Sequence, residues 1–482
     1  MANRVWPSGL RAMVITLAMV NVCTLGAGAA VASLLPARLA LWKIPLVATR
    51  PVPPAVPVLP GVAPSAPLPT GGGLAAALSP LVSSAALGKQ VAGVVADPAS
   101  GRVLWASGAS SLLQPASTAK LVTAVAALSV LGPAARFTTR VAAGPAGSIV
   151  LVGGGDPTLA AGRPPAGDYP QPATLRSLAA ATARALHARG RSSVRLGYDA
   201  SLFTGPPLAP GWPMAYISTG NVTAITALEV DQGRLTRSGA PQDADDPGNF
   251  RPRSPDPAAQ AGNAFAAFLR ADGIRVTGPV SGQAARPHAA TLASVASPPL
   301  SAIVGWMLRE SNNVIAENLA RQVALHTHRP ATFSGSAAAV TSVLRSLGVS
   351  TGIHLVDGSG LSPQDRIAPS TLARVVSLAS GPGHPGLRPA ITGLPVAGFS
   401  GTLAPGQSVF GDVGEPGLGV IQAKTGNLSS VATLAGLVND ASGRLLAFAF
   451  MTNQVPAARL PKAAAGIDAL ASALARCGCR GG

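Results

Sequence analysis

A proline-rich segment divides this chain into a short amino-terminal stretch and a long body. Eight prolines lie between residues 51 and 69, and three glycines follow at residues 71–73. Proline lacks a backbone N–H donor and fixes its own φ angle, so such a segment forms an extended spacer rather than part of a core. We therefore expect a linker over residues 38–73 and a folded body that begins near Leu74.

The stretch before the linker is typical of an export signal. Arg4 and Arg11 precede an uncharged apolar run over residues 12–37, which is long enough to cross a bilayer as a helix. The tripeptide Ala30-Val31-Ala32 near its end matches a signal-peptidase site. We expect residues 1–37 to be a signal peptide or a membrane anchor, and either one places the body outside the cytoplasm.

The amino-acid composition limits the classes of protein to which the folded body can belong. Hydrophobic residues make up 48% of the chain, enough for a large core, so a wholly disordered protein is excluded. The net charge is +17, but the arginines are scattered singly, and nucleic acid is not an expected partner. Three cysteines exclude a disulfide scaffold, the histidines show no metal spacing, and we expect neither a metal nor a cofactor.

Apolar patterning predicts a mixed α/β (α+β) fold with an antiparallel sheet flanked by helices. Short strands are expected at 91–96 and 103–105, and three consecutive strands at 418–424, 432–438 and 445–452. Helical patterns cover residues 74–87, 117–131, 172–189, 257–272, 300–325, 335–347, 369–379 and 463–476.

The segment Ser117-Thr118-Ala119-Lys120 stands where one of these helices begins. Residues three apart share a helix face, so the Lys120 amine can reach the Ser117 hydroxyl. The start of a helix and partial burial both lower a lysine pKa, which makes the amine usable as a base. A plain helix-capping serine is the alternative interpretation.

Two further triplets carry polar groups. Lys424-Thr425-Gly426 closes an apolar run that is typical of a strand, and its glycine allows another backbone to approach closely; the alternative is a turn with a solvated lysine. Ser311-Asn312-Asn313 interrupts an amphipathic helical pattern, where a bend or a helix cap is the alternative.

In this order, the three segments resemble the SxxK, SxN and KTG motifs of penicillin-binding proteins and serine β-lactamases. The closer resemblance is to D-alanyl-D-alanine carboxypeptidases/endopeptidases of the S13 peptidase family, the class C low-molecular-mass penicillin-binding proteins. It covers about residues 74–475 and includes the segments 151–159, 208–212, 227–231, 357–362, 394–398 and 400–403.

The resemblance implies a serine D-Ala-D-Ala carboxypeptidase that trims peptidoglycan stem peptides and is acylated by β-lactam antibiotics. Ser117 would be the nucleophile and Lys120 its base, with Ser311 and Lys424 returning the proton and Asn313 holding Lys120 and the substrate amide. Backbone N–H groups of Ser117 and Asn427 would bind the oxyanion. The implied substrate-binding residues are Thr425, Gly426, Asn427, Trp212 and Tyr216, with packing as the alternative for the two aromatics.

The resemblance also implies a transpeptidase-like domain split by an insertion. We expect its parts at 74–134 and 288–476, with an inserted smaller domain at 135–287. The spacing between the first two motifs is short for this family, and the missing part falls between Asp231 and Pro257, so a second insertion should be reduced or absent. Asn427 stands where the family has threonine, which affects rate or substrate preference more than reaction type.

Two other functions use the same residues or the same fold. A β-lactamase or esterase would employ the same serine and lysine but would release a penicillin rapidly. A non-catalytic wall-binding or antibiotic-sensing protein would keep the fold and lose turnover, although the intact motif residues count against it.

Overall fold

The structure, a computed structural model, describes residues 65–162, 169–235, 251–406 and 416–479. Its strands are β1 Gln90–Ala96, β2 Val103–Ser107, β3 Thr138–Ala143, β4 Ile149–Val152, β5 Ser193–Val194, β6 Leu196–Asp199, β7 Arg275–Val276, β8 Ser281–Gly282, β9 Thr291–Ala296, β10 Ile353–His354, β11 Arg366–Ile367, β12 Ile421–Leu428, β13 Val431–Asn439 and β14 Leu445–Asn453.

The α-helices of the described residues lie between and around these strands in sequence. They are α1 Gly71–Val82, α2 Ala119–Leu131, α3 Leu175–His187, α4 Ala215–Ser218, α5 Pro257–Ala271, α6 Leu300–Arg309, α7 Asn313–His326, α8 Phe333–Ser346, α9 Pro369–Ser380, α10 Pro389–Thr392 and α11 Leu460–Arg476. None of these described helices combines the length and the apolar character that crossing a bilayer requires.

The main sheet has five antiparallel strands in the order β12-β13-β14-β1-β2. Nearly every residue of β13 and β14 is buried, because helices cover both faces of the sheet. Helices α2, α7 and α9 contribute to the core on one face, and α1 and α11 contribute to the core on the other. The expected antiparallel sheet flanked by helices is confirmed.

A second five-stranded sheet lies between the first two motifs in sequence, in the order β8-β6-β4-β3-β9. Its pairing is mixed, since β3 runs antiparallel to β4 and β9 while β4, β6 and β8 run parallel. Helices α3 and α5 pack on this sheet through an apolar core of their own. Strand β9 extends to Ala296, beyond the expected boundary at 288, so we propose that the inserted domain includes β9.

Three local predictions differ from the structure. Helix α1 begins at Gly71, because the Thr70 side chain accepts a hydrogen bond from the Gly73 N–H, and Pro80 lies inside it. The single helix predicted over 300–325 is two helices, α6 and α7. The strand predicted to end at Lys424 continues to Leu428. Residues 1–37 and the linker up to residue 64 lie outside the described residues, as does the stretch 236–250.

We predict that Gly436→Ala lowers both stability and reactivity. Gly436 of β13 faces Ala423 of β12, and an added Cβ would lie 2.5 Å from the Ala423 Cα. Overpacking of this kind costs about 1–3 kcal/mol of unfolding free energy and here displaces the strand that carries Lys424. Thermal melting and the rate of labelling by a fluorescent penicillin measure both effects. Gly383→Ala, which meets nothing within 4 Å, is the control; equal behaviour of the two variants contradicts the prediction.

Candidate active site

Ser117 and Lys120 meet at the start of α2. Ser117 lies in a 3₁₀ turn, Ala116–Thr118, that leads directly into the helix. The Lys120 Nζ donates hydrogen bonds to Ser117 Oγ at 2.8 Å, to Asn313 Oδ1 at 2.6 Å and to the Ser359 carbonyl at 2.8 Å. Three acceptors match the three hydrogens of an ammonium group, so the side chain is held in one place.

The Lys120 side chain is completely buried, and burial lowers its pKa to about 7. The buried carboxyl groups of Asp357, Glu317 and Asp365 oppose this shift by stabilising the charged form. An amine with a pKa near neutrality can lose its proton at low cost and accept one from a neighbouring hydroxyl. Lys120 therefore has the geometry and the basicity to activate Ser117.

The turn between α6 and α7 supplies the Asn313 amide. Ser311 adopts a left-handed conformation with φ 55°, and the Asn312 side chain caps α7 by accepting from the Ile315 N–H at 3.0 Å. The Asn313 Nδ2 donates to the Asn221 carbonyl at 2.8 Å, which fixes the amide so that its oxygen points to Lys120. The triplet is thus both a cap and part of the site.

Strand β12 carries Lys424, the second lysine of the motifs, and brings it near Lys120. Lys424 is fully buried, and its Nζ donates to the Thr425 carbonyl at 2.8 Å. Burial lowers the Lys424 pKa well below its ordinary value, and the nearby charge of Lys120 lowers it further. Like charges repel, so it is unfavourable for both amines to be protonated together.

The outer edge of β12 faces the cleft. The Ala423 N–H donates to the Pro395 carbonyl at 3.1 Å, away from β13. Because backbone groups alternate along a strand, the N–H groups of Thr425 and Asn427 point to this same open edge. Gly426 lies against the first motif: an added Cβ would be 3.0 Å from the Ser117 nitrogen. Gly426, which precedes Asn427, thus lies against the Ser117 backbone.

The cleft above these groups has a volume of about 1230 Å³. Its walls include Ser117, Ser311, Asn313, Thr425, Asn427 and Tyr216. The Thr425 hydroxyl donates to the Thr402 hydroxyl at 2.7 Å, so two hydroxyl groups stand together on the β12 side. The structure therefore brings Ser117, Ser311, Asn313 and Tyr216 to one cleft, whereas the buried Lys120 and Lys424 are not among its lining residues and Lys120 reaches it through its bond to Ser117.

Trp212 is not among the residues that line this cleft, and its surroundings match the packing alternative. Its side chain is buried, packs edge-on against Phe333 at 5.3 Å, and donates from Nε1 to Asp357 Oδ2 at 2.8 Å. Trp212 therefore contacts the active site indirectly, through its hydrogen bond to Asp357.

Sequence reasoning gave no role to Asp357, which organises the loop beneath Lys120. Its Oδ1 accepts from the Ser359 and Gly360 N–H groups at 3.1 and 2.7 Å, and its Oδ2 accepts from the Ser362 N–H at 2.6 Å. These bonds hold the loop so that the Ser359 carbonyl meets Lys120. In the sequence, the segment 357–362 stood out only through the family resemblance, which does not indicate that the Ser359 carbonyl contacts Lys120.

Comparisons with known proteins identify the family of the chain. The profile of the D-Ala-D-Ala carboxypeptidase 3 (S13) family matches residues 74–251 and 238–474. The chain is 40% identical over 440 residues to Carboxypeptidase DacB of Mycolicibacterium smegmatis, covering 90% of this chain and 91% of the relative. It is 30% identical over 434 residues to the D-alanyl-D-alanine carboxypeptidase of Actinomadura sp., covering 75% and 77%.

Among solved structures, the crystal structure of penicillin binding protein 4 (dacB) from Haemophilus influenzae is similar to the chain. The TM-score is 0.65 at 22% sequence identity, and the match covers 83% of this chain and 99% of the other. The two proteins share a fold.

We predict that acylation of Ser117 depends on pH through Lys120. Because the Lys120 pKa is about 7, the fraction of neutral amine falls about tenfold per pH unit well below neutrality, and the acylation rate should fall with it. Stopped-flow measurements with a fluorescent penicillin between pH 5 and 8 provide the profile. A flat profile, with the fold intact by circular dichroism, would rule out Lys120 as the base.

Asp357→Asn should move the acid limb of that profile to lower pH. The Asp357 carboxylate raises the Lys120 pKa, so its removal favours the neutral amine. The variant also leaves buried N–H donors unpaired, which costs about 1–3 kcal/mol of unfolding free energy and slows acylation at every pH. Asp272→Asn, in a partly exposed ion pair with Arg176, is the control. An acid limb at the wild-type pH would contradict the assignment of Asp357.

Proposed function

The chain belongs to the D-Ala-D-Ala carboxypeptidase 3 (S13) family, and on that premise we propose how its residues release D-alanine from peptidoglycan stem peptides. It is a serine-type D-Ala-D-Ala carboxypeptidase. The observation that carries the proposed mechanism is the bond from the buried Lys120 Nζ to Ser117 Oγ at 2.8 Å. A hydroxyl needs such a base to become a nucleophile near neutral pH.

In the proposed reaction, neutral Lys120 takes the proton of Ser117 as its oxygen attacks the carbonyl between the two D-alanines. Negative charge on the carbonyl oxygen is stabilised by the backbone N–H groups of Ser117 and Asn427. Ser311 and Lys424 relay the proton from Lys120 to the departing amine, and D-alanine leaves. Water then attacks the ester on Ser117 and releases the shortened peptide.

The β12 side of the cleft suits the terminal carboxylate of the substrate. The Thr402 and Thr425 hydroxyls line the cleft there, and the buried Lys424 Nζ donates to Thr425 Oγ1 at 3.4 Å. Asn427, which replaces the family's threonine, would contribute its backbone N–H to the oxyanion, and this does not depend on the side chain. We therefore propose that the replacement alters substrate preference and leaves the reaction type unchanged.

β-Lactam antibiotics are the proposed covalent inhibitors, because their strained amide would acylate Ser117 in place of the peptide. An enzyme of this family acts outside the cytoplasm. The apolar run at residues 12–37 supports export. We propose that this run holds the chain at the membrane unless a signal peptidase removes it. Separation of cells into membrane and soluble fractions tests that association.

We predict that mass spectrometry after benzylpenicillin treatment finds one adduct, on Ser117, and that Ser117→Ala forms none. The same wild-type enzyme should release D-alanine from a peptide that ends in D-Ala-D-Ala. Ser111→Ala, at a serine in the loop that precedes the first motif, is the matched control and should label normally. An adduct on another residue would falsify the assignment, and rapid hydrolysis of penicillin without a lasting adduct would favour a β-lactamase instead.

A further inference from the structure

Two buried carboxyl groups meet in the loop that holds the Ser359 carbonyl against Lys120. Asp357 and Asp365, here called the carboxyl pair, are 2% and 0% exposed. The Asp357 N–H donates to Asp365 Oδ1 at 3.4 Å, and the two side chains lie within hydrogen-bonding reach of each other. Two ionised carboxylates repel each other and have no hydrogen to share, so a buried pair of this kind keeps a proton on one of its members.

The N–H donors around the carboxyl pair decide which member is ionised. Asp357 accepts from four of them, two on each carboxylate oxygen, at distances of 2.6–3.1 Å. Hydrogen bonds that donate to a carboxylate favour its charged form, because they replace the water that burial removes. Asp357 is therefore the ionised member of the pair.

The surroundings of Asp365 favour the opposite state. Its Oδ1 accepts from the Val356 N–H at 2.6 Å, whereas its buried Oδ2 meets no N–H or O–H donor within the described residues. A negative charge on an oxygen buried in this way is very costly, but a protonated Oδ2 can donate to the neighbouring Asp357 carboxylate. Burial, and after it the charge of Asp357, raises the pKa of Asp365 to about 10.

The charged groups of the described residues near the carboxyl pair do not give Asp365 a counter-ion. Glu317 of α7 is itself acidic, and its charge also favours the protonated form of Asp365. The Arg366 guanidinium donates to the backbone carbonyls of Pro363 and Asp365, both at 2.8 Å. The hydrogens of Lys120 go to the three acceptors described above. Two further titratable side chains lie nearby, Arg321 beside Glu317 and Tyr216 beside Asp357.

We propose that Asp365 is a positioning residue that stays protonated and donates a hydrogen bond to the Asp357 carboxylate. Together with the bond from the Val356 N–H, this contact closes the loop and keeps the Ser359 carbonyl at Lys120. Because Asp365 is neutral, the pair acts on Lys120 mainly through the charge of Asp357, which makes the largest of the carboxyl contributions that raise the Lys120 pKa. The effect on acylation rests on the proposed function, whereas the protonation of Asp365 does not.

Two variants of Asp365 and the pH profile of acylation test the role of its proton. Asp365→Leu removes donor and acceptor at similar size, and labelling by a fluorescent penicillin should slow about tenfold or more at every pH. Asp365→Asn should restore the rate to within about twofold of the wild type, because its amide accepts from the Val356 N–H and donates to Asp357 as the protonated acid does. The acid limb of this variant should stay at the wild-type pH, since no charge is lost, in contrast to the matched variant Asp357→Asn.

Infrared difference spectra report the proton directly. They are recorded at about pH 8, well below the Asp365 pKa of about 10, with and without a carbon-13 label on the aspartate carboxyl groups. The wild type minus Asp365→Asn should show the C=O band of a protonated carboxyl group, and this band should shift with the label. Absence of the band, or an acid limb that moves to lower pH in Asp365→Asn, would mean that Asp365 is ionised and would overturn the proposal.

The positioning role is tested separately from the proton. Wild-type labelling rates in Asp365→Leu would refute that role, and circular dichroism shows whether this variant is folded. If it is not folded, the infrared band and the acid limb of Asp365→Asn decide the proposal. If the band is present but penicillin does not acylate the wild type, the protonation of Asp365 stands and the proposed function fails.

Discussion

The buried amine of Lys120 is the group on which the rest of the active site depends. Its Nζ bonds to a hydroxyl at the start of α2, an amide at the start of α7 and a carbonyl in the loop at residue 359. These three segments are separated by up to 239 residues in sequence. Burying an amine without such partners would be prohibitively costly, so each of them must be in place for the fold and the chemistry alike.

Two opposing effects decide the charge of that amine. Burial favours the neutral form, and the carboxyl groups of Glu317, Asp357 and Asp365 favour the charged form. Because the balance brings its pKa to about 7, the group can both take and return a proton within one catalytic cycle. Without the carboxyl groups the amine would be a weaker base; without burial it would stay protonated and inert.

The sequence alone allowed prediction of the parts that depend on short-range pattern. Ser117 and Lys120 share a helix face and could be recognised from their spacing, whereas a break at 311–313 was only the alternative to a single helix over 300–325. The role of Trp212 could not, because its partner Asp357 lies 145 residues away and the bond depends on how α2, α7 and the loop pack together. The length of β12 was missed for a similar reason: Lys424 and Asn427 interrupt its apolar pattern, while pairing with β13 extends the strand to Leu428.

The region between the first two motifs also contributes contacts to the active site. The Asn221 carbonyl and the Gln232 side chain both come from it, and they hold Asn313 and Asn312 respectively. Asn313 in turn holds Lys120, so a displacement of the segment 221–232 would be transmitted through one amide to the base. This chain of contacts requires only the segment next to the turn. Shortening the chain between the first two motifs elsewhere would leave these contacts intact.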